Sequence, residues 1–159
     1  MKEVTIYTDG ACSGNPGRGG YGVILSYNGT EKELSGGYRK TTNNRMELLG
    51  VITGLSALKE PCRVTLYSDS RYVVDAIEKG WAVSWRQNGW KRKSGKAQNP
   101  DLWEKLLALL EKHTVTFVWV KGHAENEKNN RCDTLATTAA AGEDLLPDTE
   151  YEAEAASTR

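Results

Sequence analysis

Val4-Thr5-Ile6-Tyr7-Thr8-Asp9 is a run of β-branched and aromatic residues that has the length of a strand and ends in a carboxylate. It returns almost letter for letter as Val64-Thr65-Leu66-Tyr67-Ser68-Asp69. If the two strands are parallel neighbours, both aspartates emerge on one face at one end of the sheet, where open α/β sheets place their sites. Val-Thr-x-Tyr is also common strand composition, so the repeat alone leaves a shared site and a plain strand pair equally open.

The composition describes one compact domain. The chain has 159 residues, 38% of them hydrophobic and 26% charged, with a formal net charge of zero. Polyanion binding would therefore need a local basic patch. No apolar run approaches the roughly 20 residues of a membrane span, and the first residues lack the apolar region of a signal peptide. Cys12, Cys62 and Cys132 are widely spaced and odd in number, which predicts reduced thiols in a cytoplasmic protein.

The segment between the two similar strands predicts a turn, a hairpin and a helix. The glycine-dense loop at residues 10–20 lacks the ending of a P-loop, so a tight turn is favoured over a ligand cradle. Residues 21–27 and 31–38 read as a hairpin around Asn28-Gly29. Residues 46–59 have helical apolar spacing, with Asn43 or Asn44 as the expected N-cap. Glu47 then falls in the first turn, where it would complement the helix dipole or join a site.

A basic, tryptophan-rich stretch follows the second strand. Five basic residues and no acidic one lie between Arg86 and Lys96, interleaved with tryptophans. Cations suit phosphates and rings suit sugars or bases. A small helical subdomain packed on its own tryptophans, with a solvated basic loop, explains the stretch equally well.

The last third predicts a helix, a strand, a second helix and a tail. Asn99-Pro100 is a strong helix start. Residues 115–120 are expected to form a central or covered strand. Asp133 lies beside the apolar stripe of the following helix, so it either faces the sheet or stays partly exposed. Residues 143–159 turn acidic and small, which predicts a weakly packed tail.

Four carboxylates emerge from this pattern: Asp9 and Asp69 at strand exits, Glu47 and Asp133 on helices. Gathered at one sheet end they would raise one another's pKa values unless a cation shared the site. All-oxygen ligation selects a hard ion such as Mg²⁺ or Mn²⁺. Two ions about 3.5–4 Å apart would hold the attacking and leaving oxygens of a phosphoryl displacement.

Four motifs resemble those of bacterial ribonuclease HI, in the same order along the chain. They are Tyr-Thr-Asp-Gly-Ala at 7–11, Thr-Thr-Asn-Asn-Arg-Met-Glu-Leu at 41–48, Tyr-Ser-Asp-Ser at 67–70, and Val-Lys-Gly-His-Ala with Asn-Arg-Cys-Asp at 120–133. The resemblance implies an α/β ribonuclease H-like fold, with a five-stranded mixed β-sheet flanked by helices on both faces. It implies a catalytic domain at residues 1–142, with a basic protrusion at about 81–98.

The resemblance also implies the chemistry, which is endonucleolytic cleavage of the RNA strand of RNA–DNA hybrids, leaving 5′-phosphate and 3′-hydroxyl ends. Asp9 would bridge two ions and Asp133 would serve the ion on the nucleophile side. Glu47 and Asp69 would hold the ion beside the leaving group. His123, on the loop before Asp133, would assist proton transfer or product departure.

Substrate contacts are implied in the same way. Cys12, Asn15, Asn43 and Asn44 resemble minor-groove contacts, where RNA is recognised by its 2′-hydroxyls. Thr42 and Asn99 resemble a pocket for a DNA-strand phosphate. The basic protrusion that grips the DNA strand matches Trp81, Trp85, Trp90 and Lys91. The chain departs from the family pattern at Arg71, at Asn130 near Asp133, and in the loop after His123. Relatives often have an uncharged polar residue at the position of Arg71, so hybrid contact there is expected to change.

The expected partner is thus an RNA–DNA hybrid. The protein is expected to be a cytoplasmic monomer that does not bind a membrane. Three alternatives remain at this point. They are a non-catalytic hybrid-binding module, a DNA-directed nuclease of the same fold, and a structural protein whose carboxylates merely cap helices. Retention of all four carboxylates argues against the first, and the Thr-Thr-Asn-Asn-Arg-Met-Glu block argues against the second.

Overall fold

The two similar strands are parallel neighbours at the centre of a five-stranded sheet. In this computed structural model, which describes residues 1–92, 95–121 and 126–157, β1 (Lys2–Ser13) pairs with β4 (Cys62–Ser68) in the register of the repeat. Val4 lies opposite Val64 and Tyr7 opposite Tyr67, with the two tyrosine rings stacked at 5.1 Å. The repeat therefore brings both aspartates to one edge, as predicted.

The complete sheet has the order β3-β2-β1-β4-β7 and is mixed, as expected. The hairpin of β2 (Gly17–Tyr27) and β3 (Thr30–Thr41) turns at Asn28-Gly29, both with positive φ. β7 (Thr114–Trp119) pairs parallel with β4 and forms an edge. The expectation of a central or covered strand there is wrong. Phe117 is the one buried residue of β7, because its other side chains alternate between solvent and a partly covered face.

Helices cover both faces of the sheet. They are α1 (Asn43–Ser56), α2 (Arg71–Glu78), α3 (Trp81–Gln87), α4 (Pro100–Lys112) and α5 (Glu127–Ala140). α1 packs on the face of Ile6, which a Cβ on Gly54 would approach to 3.0 Å. α5 packs on the other face so closely that a Cβ on Gly22 would lie 2.3 Å from the Cys132 carbonyl oxygen. Only glycine permits this approach of helix to strand.

The start of α1 differs from the expectation by one residue. Thr42 is the N-cap, with extended backbone and a hydroxyl that accepts the Arg45 N–H at 3.3 Å. The prediction of Asn43 or Asn44 as the cap is therefore wrong, and Glu47 is the fifth residue of the helix, just beyond the first turn in which it was expected. α4 begins at Pro100 as predicted, but the side chain of Asn99 makes no capping bond.

The basic stretch forms a protrusion between α2 and α4. It contains α3 and a two-stranded ribbon of β5 (Lys91–Arg92) and β6 (Gly95–Lys96). Its tryptophans differ in environment. The Trp85 ring packs edge-on against Trp103 at 5.9 Å, and the Trp90 indole donates to Glu104 at 3.1 Å. Trp81 is 43% exposed. The tryptophan packing expected of a small helical subdomain is thus present for Trp85 and Trp90.

The segment after residue 142 is packed more firmly than expected. Thr149–Ser157 forms helix α6, and Asp148 just before it is 5% exposed. Leu146 exchanges backbone hydrogen bonds with β3 at Gly37 and Arg39. The expectation of a weakly packed tail is corrected for this segment. Within the described ranges, none of the helices is both long and apolar enough to cross a bilayer.

Candidate functional site

Three carboxylates meet beside the C-terminal end of β4. Asp9 lies within β1, which continues to Ser13, so the prediction of a strand that ends at Asp9 and a loop over residues 10–20 is wrong, and the turn between β1 and β2 is confined to residues 14–16. Oxygen atoms of Asp9, Glu47 and Asp69 all lie within 4.8 Å of one another. Asp9 and Glu47 are 6% and 3% exposed, and Asp69 is half-buried. The parallel pair supplies the two aspartates, and α1 places Glu47 beside Asp9 and Gly10 of β1. The sequence-predicted residues are therefore brought together.

The backbone at Gly10 fixes two of these carboxylates. Its N–H donates to Asp9 Oδ1 at 2.9 Å and to Glu47 Oε1 at 3.0 Å. A Cβ at this position would lie 2.6 Å from the backbone nitrogen of Glu47, so the close approach of α1 to β1 requires glycine. The buried Oε2 of Glu47 has no hydrogen-bond partner among the described residues. An unpaired acceptor in this position fits a cation ligand.

Burial and like charge destabilise the ionised forms of Asp9 and Glu47. Burial, followed by the charge of Asp69, raises the pKa of Asp9 to about 8. Burial, followed by the charges of Asp9 and Asp69, raises the pKa of Glu47 well above its usual value. Both shifts come from desolvation and like-charge repulsion, which a bound cation relieves. Oxygen-only donors in this arrangement suit a hard divalent ion.

Asp133 joins the site from the opposite face of the sheet. It is half-buried on α5 and lines, with the other three carboxylates, a cavity of about 460 Å³. Its charge contributes to the raised pKa of Asp9. α5 is held in place by Asn129, whose amide donates to the Thr8 carbonyl at 3.2 Å, and by the Cys132 thiol, which donates to the Tyr7 carbonyl at 3.3 Å. Of the two options left by the sequence, Asp133 faces the sheet.

Arg71 borders the same cavity and stacks on Trp119. The Arg71 guanidinium lies 3.8 Å from the centroid of the Trp119 ring, within range of a cation–π contact. The Trp119 indole donates to the Asp69 carbonyl at 3.1 Å. Trp119 was missed by sequence reasoning, although it directly precedes the motif at residues 120–124.

A second cavity, of about 550 Å³, adjoins the first. Asn44 lines both. Of the other predicted substrate contacts, three line the second cavity: Asn15, Thr42 and Asn99. Asn43 lines the first cavity, and its backbone N–H donates to Asn15 Oδ1 at 3.2 Å. The Cys12 thiol donates to the carbonyls of Gly17 and Thr41, at 3.6 and 3.4 Å.

Behind the second cavity lies a buried ionic network that sequence reasoning missed. Arg45, 3% exposed, donates from Nε to Asp148 at 2.7 Å and from Nη1 to Asp101 at 2.9 Å. Burial opposes the charge of Arg45, but hydrogen bonds to the two aspartates outweigh it and raise its pKa. Arg45 Nη1 also donates to Asn99 Oδ1 at 3.3 Å. The network ties α1, the start of α4 and the segment before α6 into one unit.

The remaining predicted contacts lie on the protrusion or outside the described residues. Lys91 is exposed on β5 and lines a cavity of about 390 Å³ together with Trp90. Trp81 is exposed beside Lys79, whose Nζ lies 5.1 Å from the ring centroid. Trp85 faces Arg92 on the protrusion side at 5.4 Å. His123 lies outside the described residues.

Comparison with known proteins identifies the family of this chain. A family model described as RNase H matches residues 1–141. Ribonuclease H of Syntrophus aciditrophicus is 64% identical over 152 residues, covering 95% of this chain and 88% of that protein. The crystal structure of LC9-RNase H1, a type 1 RNase H with the type 2 active-site motif, is 37% identical with a TM-score of 0.80, covering 89% and 74% of the two chains. LC11-RNase H1 in complex with an RNA/DNA hybrid is 25% identical with a TM-score of 0.63, covering 86% and 96%.

Proposed function

This chain belongs to the ribonuclease H family, and we propose that its carboxylate site hydrolyses the RNA strand of RNA–DNA hybrids. The observation that carries the proposal is the convergence of Asp9, Glu47 and Asp69 within 4.8 Å in a family of metal-dependent hydrolases. The motifs at residues 7–11, 41–48 and 67–70 contain these three carboxylates. Cleavage is endonucleolytic and leaves 5′-phosphate and 3′-hydroxyl ends.

Asp9, Glu47, Asp69 and Asp133 would hold the metal ions, Mg²⁺ with Mn²⁺ as a substitute, two of them when substrate is bound. The fit rests on three features: oxygen-only donors, the unpartnered Oε2 of Glu47, and the raised pKa values of Asp9 and Glu47. When bound, the ions supply a nucleophilic water and neutralise charge on the phosphate. The protein's own part is to hold Asp9 and Glu47 on the Gly10 N–H and to exclude water from both.

The substrate lies across the two adjoining cavities in this proposal. The minor groove of the hybrid meets Cys12, Asn15, Asn43 and Asn44, and a DNA-strand phosphate meets Thr42 and Asn99. The basic protrusion contacts the DNA backbone through Trp81, Trp85, Trp90 and Lys91. Arg71 contacts the hybrid at the cavity of the carboxylates. Support comes from the shared wall at Asn44 and from the hybrid complex of the similar LC11-RNase H1.

His123 is proposed to assist proton transfer or product departure, on the strength of its Lys-Gly-His sequence context. The three cysteines are free, in keeping with a protein that works as a monomer in the cytoplasm. Size-exclusion chromatography with light scattering tests the monomer, and a dimer at micromolar concentration would contradict it.

The function is tested by cleavage of a short RNA–DNA hybrid and its matching DNA duplex, with Mg²⁺, with chelator and with Asp9→Asn. The expected result is cut RNA in the hybrid alone, in the wild type with metal alone. Cleavage of both duplexes would assign a general nuclease of the same fold. Tight hybrid binding without cleavage in Mg²⁺ or Mn²⁺ would assign a binding module.

A further inference from the structure

Helix α6 forms one wall of the cavity proposed to take a DNA-strand phosphate. Tyr151 and Glu154 of α6 line it together with Thr42, Asn99 and Lys96. The C-terminal segment, which the sequence presented as a tail, is thus part of the surface facing the substrate.

The helix brings negative charge to that surface. α6 contains three glutamates and no basic residue. Glu154 Oε1 lies 3.5 Å from Nζ of Lys96, a cation of the protrusion. A carboxylate and a phosphate oxygen compete for the same ammonium group. Glu154 therefore contacts the same ammonium group that a DNA-strand phosphate in this cavity would contact.

α6 is held at its start by buried contacts, whereas the ion pair between Glu154 and Lys96 is exposed. Asp148, immediately before the helix, is buried and accepts hydrogen bonds from Arg45 and from the Thr41 hydroxyl, both at 2.7 Å. Glu152 accepts from Arg39 at 3.0 Å. The Lys96 and Glu154 side chains are 69% and 52% exposed, and an exposed pair is easily displaced. The helix is docked independently of the pair that would compete with substrate.

We infer that α6 is an autoinhibitory element of the hybrid interface, in which Glu154 occupies Lys96 in the free protein and is displaced by a DNA-strand phosphate. The inference rests on the proposed function, since it takes the phosphate to bind at this cavity. Its consequence is an enzyme that binds hybrid less tightly than its basic protrusion would allow.

The test is hybrid affinity of Glu154→Gln, measured by fluorescence anisotropy in EDTA so that no cleavage occurs. Glu154→Gln is expected to bind about two- to fivefold more tightly than the wild type at low salt, the range of an exposed pair. The gain fades at high salt because exposed charges are screened. Glu150→Gln, on the same helix but outside the cavity, makes the same charge change and is expected to gain less. A chain ending at Asp148 keeps the buried anchor and is expected to gain at least as much as Glu154→Gln.

A double-mutant cycle with Lys96→Gln shows whether the effect passes through Lys96. In the Lys96→Gln background, the gain from Glu154→Gln is expected to be smaller than in the native background. Additive effects would overturn the inference, as would unchanged or weaker binding by Glu154→Gln in the native background. Wild-type cleavage of hybrid in Mg²⁺ is measured alongside, so that failure of the proposed function appears as lost cleavage and failure of the inference as equal affinities.

Discussion

Replacing Asp9 with Asn should stabilise the metal-free protein even as it abolishes activity. Asp9 is 6% exposed, and burial together with Asp69 raises its pKa from 3.8 to about 8. One pKa unit corresponds to about 1.4 kcal/mol, so the penalty for ionising Asp9 in the folded state has a ceiling of roughly 6 kcal/mol. Asp9→Asn does not remove the repulsion between Glu47 and Asp69. We therefore expect a gain of about 2–4 kcal/mol in the free energy of unfolding above about pH 8.

The sign follows from proton binding. Between about pH 4 and pH 8 the folded state keeps a proton on Asp9 that the unfolded state has released, so wild-type stability falls as pH rises through this window. Below the window both states are protonated, and Asn and Asp should be nearly equivalent. The difference between Asp9→Asn and wild type should therefore grow with pH and level off above about pH 8.

Urea unfolding in EDTA, followed by tryptophan fluorescence at several pH values, measures this difference. Asp144→Asn, at an exposed carboxylate, is the matched control and should show no such trend. Mg²⁺ should stabilise the wild type more than Asp9→Asn, which narrows the gap. A loss of stability in Asp9→Asn, or a difference that does not change with pH, would refute the electrostatic account of the cluster.

Three further predictions concern packing and positioning. Asp148→Ala leaves buried Arg45 with one aspartate partner fewer and should lower the free energy of unfolding by about 3 kcal/mol; urea unfolding checks this, and a change within about 0.5 kcal/mol, typical of surface sites, would contradict it. Gly22→Ala places a Cβ 2.3 Å from the Cys132 carbonyl oxygen and should lower both the melting temperature and hybrid cleavage by moving α5 and Asp133. Gly29→Ala, in open space but at positive φ, is the control and should lower the melting temperature alone. Equal cleavage by both variants would contradict the prediction. Trp119→Leu removes the ring under Arg71 and should raise the KM for hybrid about two- to fivefold, whereas Trp119→Phe keeps a ring face and should recover most of it; steady-state kinetics in which Phe and Leu behave alike would argue against the stacked arginine.

Several features could be predicted because they depend on neighbours in the chain. Alternation along β1 and β4, the Asn28-Gly29 turn and the proline at the start of α4 are local signals, and each appears where expected. The repeat of Val-Thr-x-Tyr-x-Asp also agrees with the register of the central strand pair, in which equivalent residues lie side by side. The acidic residues of the site followed from that register and from the family motifs.

Other features were wrong or absent in the sequence prediction because they depend on distant contacts. Residues 115–120 are apolar enough for a central strand, yet β7 is an edge, since strand order depends on pairing between segments that are distant in the chain. Asp148 looked like part of an acidic tail, but it pairs with Arg45, 103 positions away. In the sequence Trp119 is an ordinary strand aromatic. In the structure its indole donates to the Asp69 carbonyl and its ring packs against the Arg71 guanidinium.

The sequence by itself predicted the strands of the sheet and most of the helices, and it singled out the four carboxylates that line one cavity. Only the tertiary structure decided how close those carboxylates lie to one another, that the Arg71 guanidinium borders their cavity, and that the acidic helix α6 lines the adjoining cavity. The physical reason is that alternation, capping and turn preference act between residues near in sequence. Burial and charge pairing instead act between residues near in space, and these decide the pKa of Asp9 and the docking of α6.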